Sequence, residues 1–159
     1  MKNIISSIIL LFSMSTFSQE KKGKYDFVFS PEIISQKKLF GGANLLIGRI
    51  EIEKYFHFKS IAGVRVGFES NFKNNENFII APKVGFEISA AIIAVRLSAV
   101  NYFQNNKSEF RIVPEIGISL NSFVNLTYGY NFRITNKQID GLNGHRFCLS
   151  FNINNDLFD

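Results

Sequence analysis

Along most of the chain, apolar and polar residues take turns, one position at a time. Ala62, Val64, Val66 and Phe68 alternate with Gly63, Arg65, Gly67 and Glu69. Phe78, Ile80, Pro82, Val84, Phe86 and Ile88 alternate with Ile79, Ala81, Lys83, Gly85, Glu87 and Ser89. The pattern continues through Ile93–Ala99, Glu109–Ile118, Val124–Arg133 and Arg146–Ile153. A period of two belongs to the β-strand, whose successive side chains point to opposite faces. Two earlier runs, near 24–34 and 43–56, alternate less cleanly; Tyr25, Phe27 and Phe29 share one face there, and Leu46, Ile50 and Ile52 another. The pattern therefore predicts eight strands. Polar stretches at Ser35–Gly42, Asn71–Asn77, Gln104–Lys107 and Thr135–Asn143 predict longer loops at one end. Shorter links at Phe56–Lys59, Ser89–Ala91 and Asn121–Ser122 predict tight turns at the other. Long loops opposite tight turns describe an antiparallel up-and-down meander.

The two faces differ in a way that chooses between barrel types. On six consecutive strands one face is built from Phe, Ile, Val, Leu, Tyr, Ala and Pro and carries no formal charge. A soluble lipocalin-type barrel would put that face inside. Here the opposite face collects the arginines: Arg49, Arg65, Arg96, Arg111, Arg133 and Arg146 all share the polar parity, whereas among the lysines only Lys83 clearly does. The acids with that parity are Asp26, Glu51, Glu53, Glu69, Glu87, Glu109 and Glu115. Guanidinium groups suit a closed interior because their planar fork binds carboxylates in pairs and keeps its charge. The expectation is an all-β, eight-stranded antiparallel up-and-down transmembrane β-barrel, apolar outside and salt-bridged inside. Eight strands enclose only enough space for side chains, so the lumen should be plugged. Inward glycines at 63, 67, 85, 117 and 129 are expected to make room for the arginine arms. Aromatics near strand ends, among them Tyr25, Phe56, Phe58, Tyr102, Phe103, Tyr128, Tyr130 and Phe132, are expected at membrane interfaces. The competing arrangement is a soluble two-sheet sandwich with its polar face in water.

The amino terminus adds a compartment. Lys2 precedes an apolar core from Ile4 to Phe12, then small residues at Thr16 and Ser18. This is the layout of a cleavable signal peptide, residues 1–18, cut before Gln19; the alternative is a buried amino-terminal helix. Residues 19–159 form the barrel domain. Composition fits: with 46% hydrophobic and only 19% charged residues, disorder is excluded, and a mean hydropathy of +0.06 leaves no room for long apolar transmembrane helices. A single cysteine, Cys148, excludes a disulfide framework and a cysteine-rich metal site.

The segment Ile80-Ala81-Pro82-Lys83-Val84-Gly85 recurs as Ile112-Val113-Pro114-Glu115-Ile116-Gly117, about two hairpins later. A mid-strand proline removes a ladder donor, so a bulge is expected at each. With Thr16-Phe17-Ser18-Gln19 and the stretch Asn125-Leu126-Thr127-Tyr128-Gly129-Tyr130-Asn131, the chain resembles the small eight-stranded outer-membrane barrels of the OmpA/OmpX type, and the short exported barrels of Bacteroidota. The resemblance implies a cell outer-membrane location, contact with outer-membrane lipid and lipopolysaccharide, and insertion by the barrel-assembly machinery. Such barrels end on a strand with a terminal aromatic; Phe147, Leu149 and Phe151 match, whereas Asn154–Asp159 runs on past that pattern.

Candidate chemistry is sparse. The two histidines, His57 and His145, are expected at opposite ends and cannot share a metal or a triad. His145 with Ser108 or Ser70 would imitate an outer-membrane lipid hydrolase, but no spacing supports it. Cys148 points inward by parity, as a small filler. Cofactor motifs are absent, and the basic residues are too scattered for nucleic acid. No catalytic, cofactor or metal residue is expected; the structural lumen pairs are expected from Arg49, Glu51, Arg65, Glu69, Lys83, Glu87, Arg96, Arg111, Glu115, Arg133 and Arg146. Loop lysines, including Lys37, Lys38, Lys73, Lys107 and Lys137, could meet lipopolysaccharide phosphates. The reading is a non-enzymatic barrel that is structural or acts through its outer loops. A soluble periplasmic lipocalin-like barrel holding an apolar ligand is the alternative, and an outer-membrane lipid hydrolase the third.

Overall fold

The computed structural model describes residues 25–52, 58–72, 78–136 and 138–158. The signal segment, Glu53 and His57 lie outside these residues. Nine strands follow in order: β1 Asp26–Ser35, β2 Leu39–Ile52, β3 Lys59–Ser70, β4 Ile80–Ala90, β5 Ile93–Gln104, β6 Lys107–Leu120, β7 Val124–Tyr130, β8 Phe132–Arg133 and β9 His145–Phe151, with a short helix α1, Asn155–Phe158. Strands β7 and β8 are two pieces of one stave, because both pair with β6 in a single register (Ile116 opposite Tyr128, Ile112 opposite Phe132). Every pairing is antiparallel between neighbours in sequence, and β9 returns to pair with β1. The result is a closed, eight-stranded up-and-down barrel. Closure leaves no long open edge to recruit another chain.

The two ends of the barrel are less different than the polar stretches predicted. The β1–β2 link is only residues 36–38, since Phe40, Gly41 and Gly42 already belong to β2. The β5–β6 link is a two-residue turn, Asn105–Asn106, with Asn105 in the left-handed region (φ 50°) that asparagine tolerates. At the other end, Ala91 (φ 49°) opens an equally tight turn. Only 71–79 and 134–144 are long among the links at the loop end.

No bulge marks the prolines. The register of β4 with β5 is the same at Ile80–Phe103 as at Lys83–Val100, on either side of Pro82. Between these pairs the ladder lapses, opposite Asn101. Pro114 behaves alike: the β6 register is unchanged from β7 to β8, and the ladder lapses opposite Tyr130, which divides that stave. The third proline, Pro31, lies in the barrel seam, where the β1–β9 ladder runs from Ser35 to Glu32, lapses, and resumes as a two-way bond between Phe29 and Ile153. Antiparallel ladders alternate hydrogen-bonded and open pairs. Counting by twos from Phe29 puts Pro31 at a bonded position opposite Phe151. The bond Asn131 N–H to Gly144 O (2.6 Å) turns Tyr130 toward β6, so Pro114 also stands where an N–H is wanted. Each proline withdraws one donor without adding a residue.

Alternation inside the barrel makes three layers. At the loop end Ile34, Phe40, Ile79, Val100, Tyr102 and Val113 form an apolar cluster, closed from above by Ile139 and Leu142 of the 134–144 segment. At the other end, where β1 begins and β9 finishes, Val28, Leu46 and Ile61 cluster with Leu157, which α1 folds back across the opening, and Ile50 packs against them. Charge fills the layer between. The residues after β9, which departed from the terminal-strand pattern, thus act as a stopper. The inward glycines do something other than accommodate arginine. Gly48 and Gly63 face each other across β2 and β3, and a Cβ on Gly48 would lie 2.7 Å from the Gly63 Cα. They allow close strand approach; a long charged side chain occupies the vacated space at Gly129, where it is Glu115, and at Gly42, where it is Glu32.

Candidate functional site

The central layer is built from β1, β3, β4, β5, β6 and β9, each contributing alternate side chains. Glu87 of β4 is its main node. Its carboxylate lies 3.0 Å from Arg65 Nε and 3.1 Å from Arg96 Nε, and accepts hydrogen bonds from Asn125 Nδ2 (3.0 Å) and Asn152 Nδ2 (3.2 Å). Arg65 reaches across to Glu32 (3.2 Å), which also pairs with Lys83. Lys83 continues to Glu69 (3.5 Å), and Glu69 receives Arg146 at 3.0 Å and the Tyr102 hydroxyl. Arg146 then reaches Glu115 at 3.2 Å. Four cations and four carboxylates form one continuous chain of contacts.

Nearer the loop end a fifth pair stands apart. Arg111 Nε donates to Glu109 at 2.8 Å, and its Nη1 donates to the Asn143 carbonyl at 2.8 Å. The second Glu109 oxygen accepts the Ile139 N–H at 2.6 Å. This pair holds the 134–144 segment down, so that Ile139 stays inside. Asn131 Nδ2 adds a bond to the same Asn143 carbonyl at 2.9 Å.

Arg65, Glu69, Lys83, Glu87, Arg96, Arg111, Glu115 and Arg146 all meet in this interior. Three expected members do not. Arg49 and Glu51 carry the outward parity of β2, because Leu46 and Gly48 point in; Arg49 lies over the Tyr25 ring at 5.9 Å, and Glu51 is exposed. Arg133 sits opposite Arg111 but is exposed at the rim. Asp26 reaches only the edge, accepting the Ile50 N–H at 3.4 Å. Glu32 was the missing acid. The signal was present: Val28, Ser30 and Glu32 alternate with Phe27, Phe29, Pro31 and Ile33. Tyr102, expected at an interface, is fully buried beside Glu69 and Phe40. It shares the parity of Ala94, Arg96 and Ser98, which already pointed inward. Lys59, expected in a turn, is the buried first residue of β3.

The outer wall is the reverse of the interior. Phe86 is 63% exposed and Ile116 61%, while Arg96 is 1% exposed. On β3, β4, β5, β6, β7 and β9 the outward positions carry no Asp, Glu, Lys or Arg; on β2 the outward charges, Arg49 and Glu51, come at the strand end. Near the loop end Tyr128, Tyr130, Phe132, Phe147 and His145 form an aromatic cluster, with the Tyr130 and His145 rings 5.1 Å apart. His145 Nδ1 is bonded to the Tyr128 hydroxyl. The serines considered beside it are engaged elsewhere: Ser108 Oγ donates to Asn101 (2.9 Å), and Ser70 Oγ accepts the Phe72 N–H (3.2 Å). Cys148 is buried, with its sulfur 3.5 Å from Glu32 and 3.6 Å from Arg96. Among the described residues no cluster of three His, Cys, Asp or Glu could hold a metal ion. No family model, curated protein or solved structure matches the chain.

Proposed function

We propose that this protein is an integral outer-membrane β-barrel, exported on a cleaved signal peptide, that serves a structural or surface-contact role through its outer rim. The observation that carries the reading is the uncharged, apolar outer wall around an interior of charge. In water such a wall would expose far more contiguous apolar surface than a monomer tolerates; in a bilayer it is the face that meets lipid. The strands are long enough, since about 9–11 tilted residues cross a bilayer and β3 to β6 have 11 to 14. Tyr25, Arg49 and Glu51 at one rim, and the Tyr128–His145 cluster toward the other, suit the interfaces. The reading fits an OmpA/OmpX-type barrel, of the short kind exported in Bacteroidota. Its partners are outer-membrane lipid and lipopolysaccharide, and the barrel-assembly machinery during insertion. The interior argues against a pore, a catalytic centre or an apolar ligand, because charge and two apolar stoppers occupy the space.

Cell fractionation with gel mobility tests this. The expected result is a chain in the outer-membrane fraction whose unheated form migrates differently from the boiled one. Release by osmotic shock would instead place it in the periplasm as a soluble barrel.

A further inference from the structure

A cleft of about 550 Å³ opens at the loop end, between the β1–β2 turn and the end of β3. Its lining combines exposed apolar side chains with cations and, among the described residues, no carboxylate. Ile33, Leu39 and Phe72 are 52%, 66% and 69% exposed, and Lys37 and Lys38 stand beside them. Phe72 is a bulky residue in the left-handed region (φ 49°), a conformation disfavoured for a side chain with a Cβ. It is held there by Ser70, and by Asn71, which bonds both ways with Ile79. Its ring lies across Gly41, where a Cβ would come within 2.6 Å of it. Lys38 is likewise directed, the end of its side chain, Nζ included, lying over Gly141 of the 134–144 segment. The chain thus spends strain and two glycines to hold an apolar wall and a cationic edge side by side, at a rim.

We propose that this cleft binds a phosphate-bearing lipid of the membrane leaflet at that rim, with the phosphate at Lys37 and Lys38 and an acyl chain along Ile33, Leu39 and Phe72. The assignment rests on the membrane reading above, which supplies the lipid. Charge complementarity selects the headgroup: two cations that meet no carboxylate among the described residues of the lining call for an anion. The apolar wall selects an anion that carries a hydrocarbon chain rather than a free one. The exposed Ile33 and Leu39 lie at the loop end on the outward face of β1 and β2, where a lipid would stand, with Lys37 and Lys38 in the turn between those strands.

The full chain, extracted in a zwitterionic detergent, is titrated with dimyristoyl phosphatidic acid, dimyristoylglycerol and inorganic phosphate, and bound molecules are counted by native mass spectrometry. One phosphatidic acid should bind in preference to the other two. Joint Lys37→Gln and Lys38→Gln substitution should weaken it about thirty-fold. Phe72→Ser should weaken it as well, whereas Lys107→Gln, at the start of β6 and away from the cleft, should leave it unchanged. Equal binding by the double variant, or inorganic phosphate binding as tightly as phosphatidic acid, overturns the site. The same variants are fractionated and run unheated. If they insert normally yet phosphatidic acid shows no preference, the site falls and the membrane reading stands. A chain recovered only as soluble protein removes both.

Discussion

Glu87 and Glu51 are the same residue type with the same sequence-level promise, and they end in opposite surroundings. Glu87 holds two guanidinium groups and two asparagine amides in the buried interior. Removing its charge leaves Arg65 short of one partner and Arg96 short of its carboxylate, and breaking a buried pair costs about 3–5 kcal/mol. Glu87→Gln should therefore lower the urea midpoint of the folded, detergent-solubilised barrel by that much in unfolding free energy. Glu51→Gln should leave the midpoint where it is, because Glu51 is exposed outside the barrel. A Glu51 variant as damaging as the Glu87 variant would show that the β2 parity is reversed. Arg49 follows the same logic: its place over Tyr25 makes it a rim cation, and the alternation of β2 could have shown this, since Phe40, Asn44 and Leu46 share the parity that excludes it.

Among the strands, the prolines separate local chemistry from register. A bulge and a lapsed ladder both answer a missing donor, and composition alone does not choose between them. A bulge would shift every later side chain by one face. Here that would carry Lys83 or Glu115 out of the interior and into the wall. The unbroken register on both sides of Pro82 and Pro114 keeps each charge paired, at the expense of one ladder bond. Pro114→Val supplies the absent N–H opposite Tyr130. Hydrogen exchange should find the new amide at 114 protected to the level of its strand neighbours, with stability raised by about 0.5–1.5 kcal/mol. An amide at 114 that exchanges as quickly as those in the turns would mean the gap has another origin.

The whole molecule is a tube turned inside out with respect to a soluble protein. Its wall is one continuous apolar surface, so a single charge there acts on the assembly rather than on one contact. Val66→Arg or Ile116→Arg, each on an exposed outward position, should block insertion by adding about 2–4 kcal/mol near the bilayer midplane. The loss should appear as absence of the unheated, fast- or slow-shifted band and of the chain from outer membranes. Normal yield of both variants would rule out lipid on that wall. Within the tube, the stoppers at the two ends come from segments of different kinds. Ile139 and Leu142 fold in from a long link, Leu157 from a single turn of helix.

Much of this was readable in order along the chain. A period of two needs only neighbours in sequence, so the strands, the antiparallel class, the charged interior and the apolar wall follow from alternation by itself. Arg65, Glu69, Lys83, Glu87, Arg96, Arg111, Glu115 and Arg146 were legible because they lie in clean runs. The less regular β1 and β2 hid Glu32, and let Arg49 and Glu51 seem interior. What alternation cannot supply is contact between residues far apart in sequence. Arg146 of β9 meets Glu69 of β3 only because closure brings β9 back to β1, while Glu32 meets Arg65 and Lys83, and Arg146 meets Glu115, across the curl of neighbouring strands. The folding-in of Ile139, Leu142 and Leu157 likewise joins residues far apart in sequence. Local periodicity determined the faces; the closed tertiary structure decided the partners, because pairing energy belongs to distances that only the completed ring establishes.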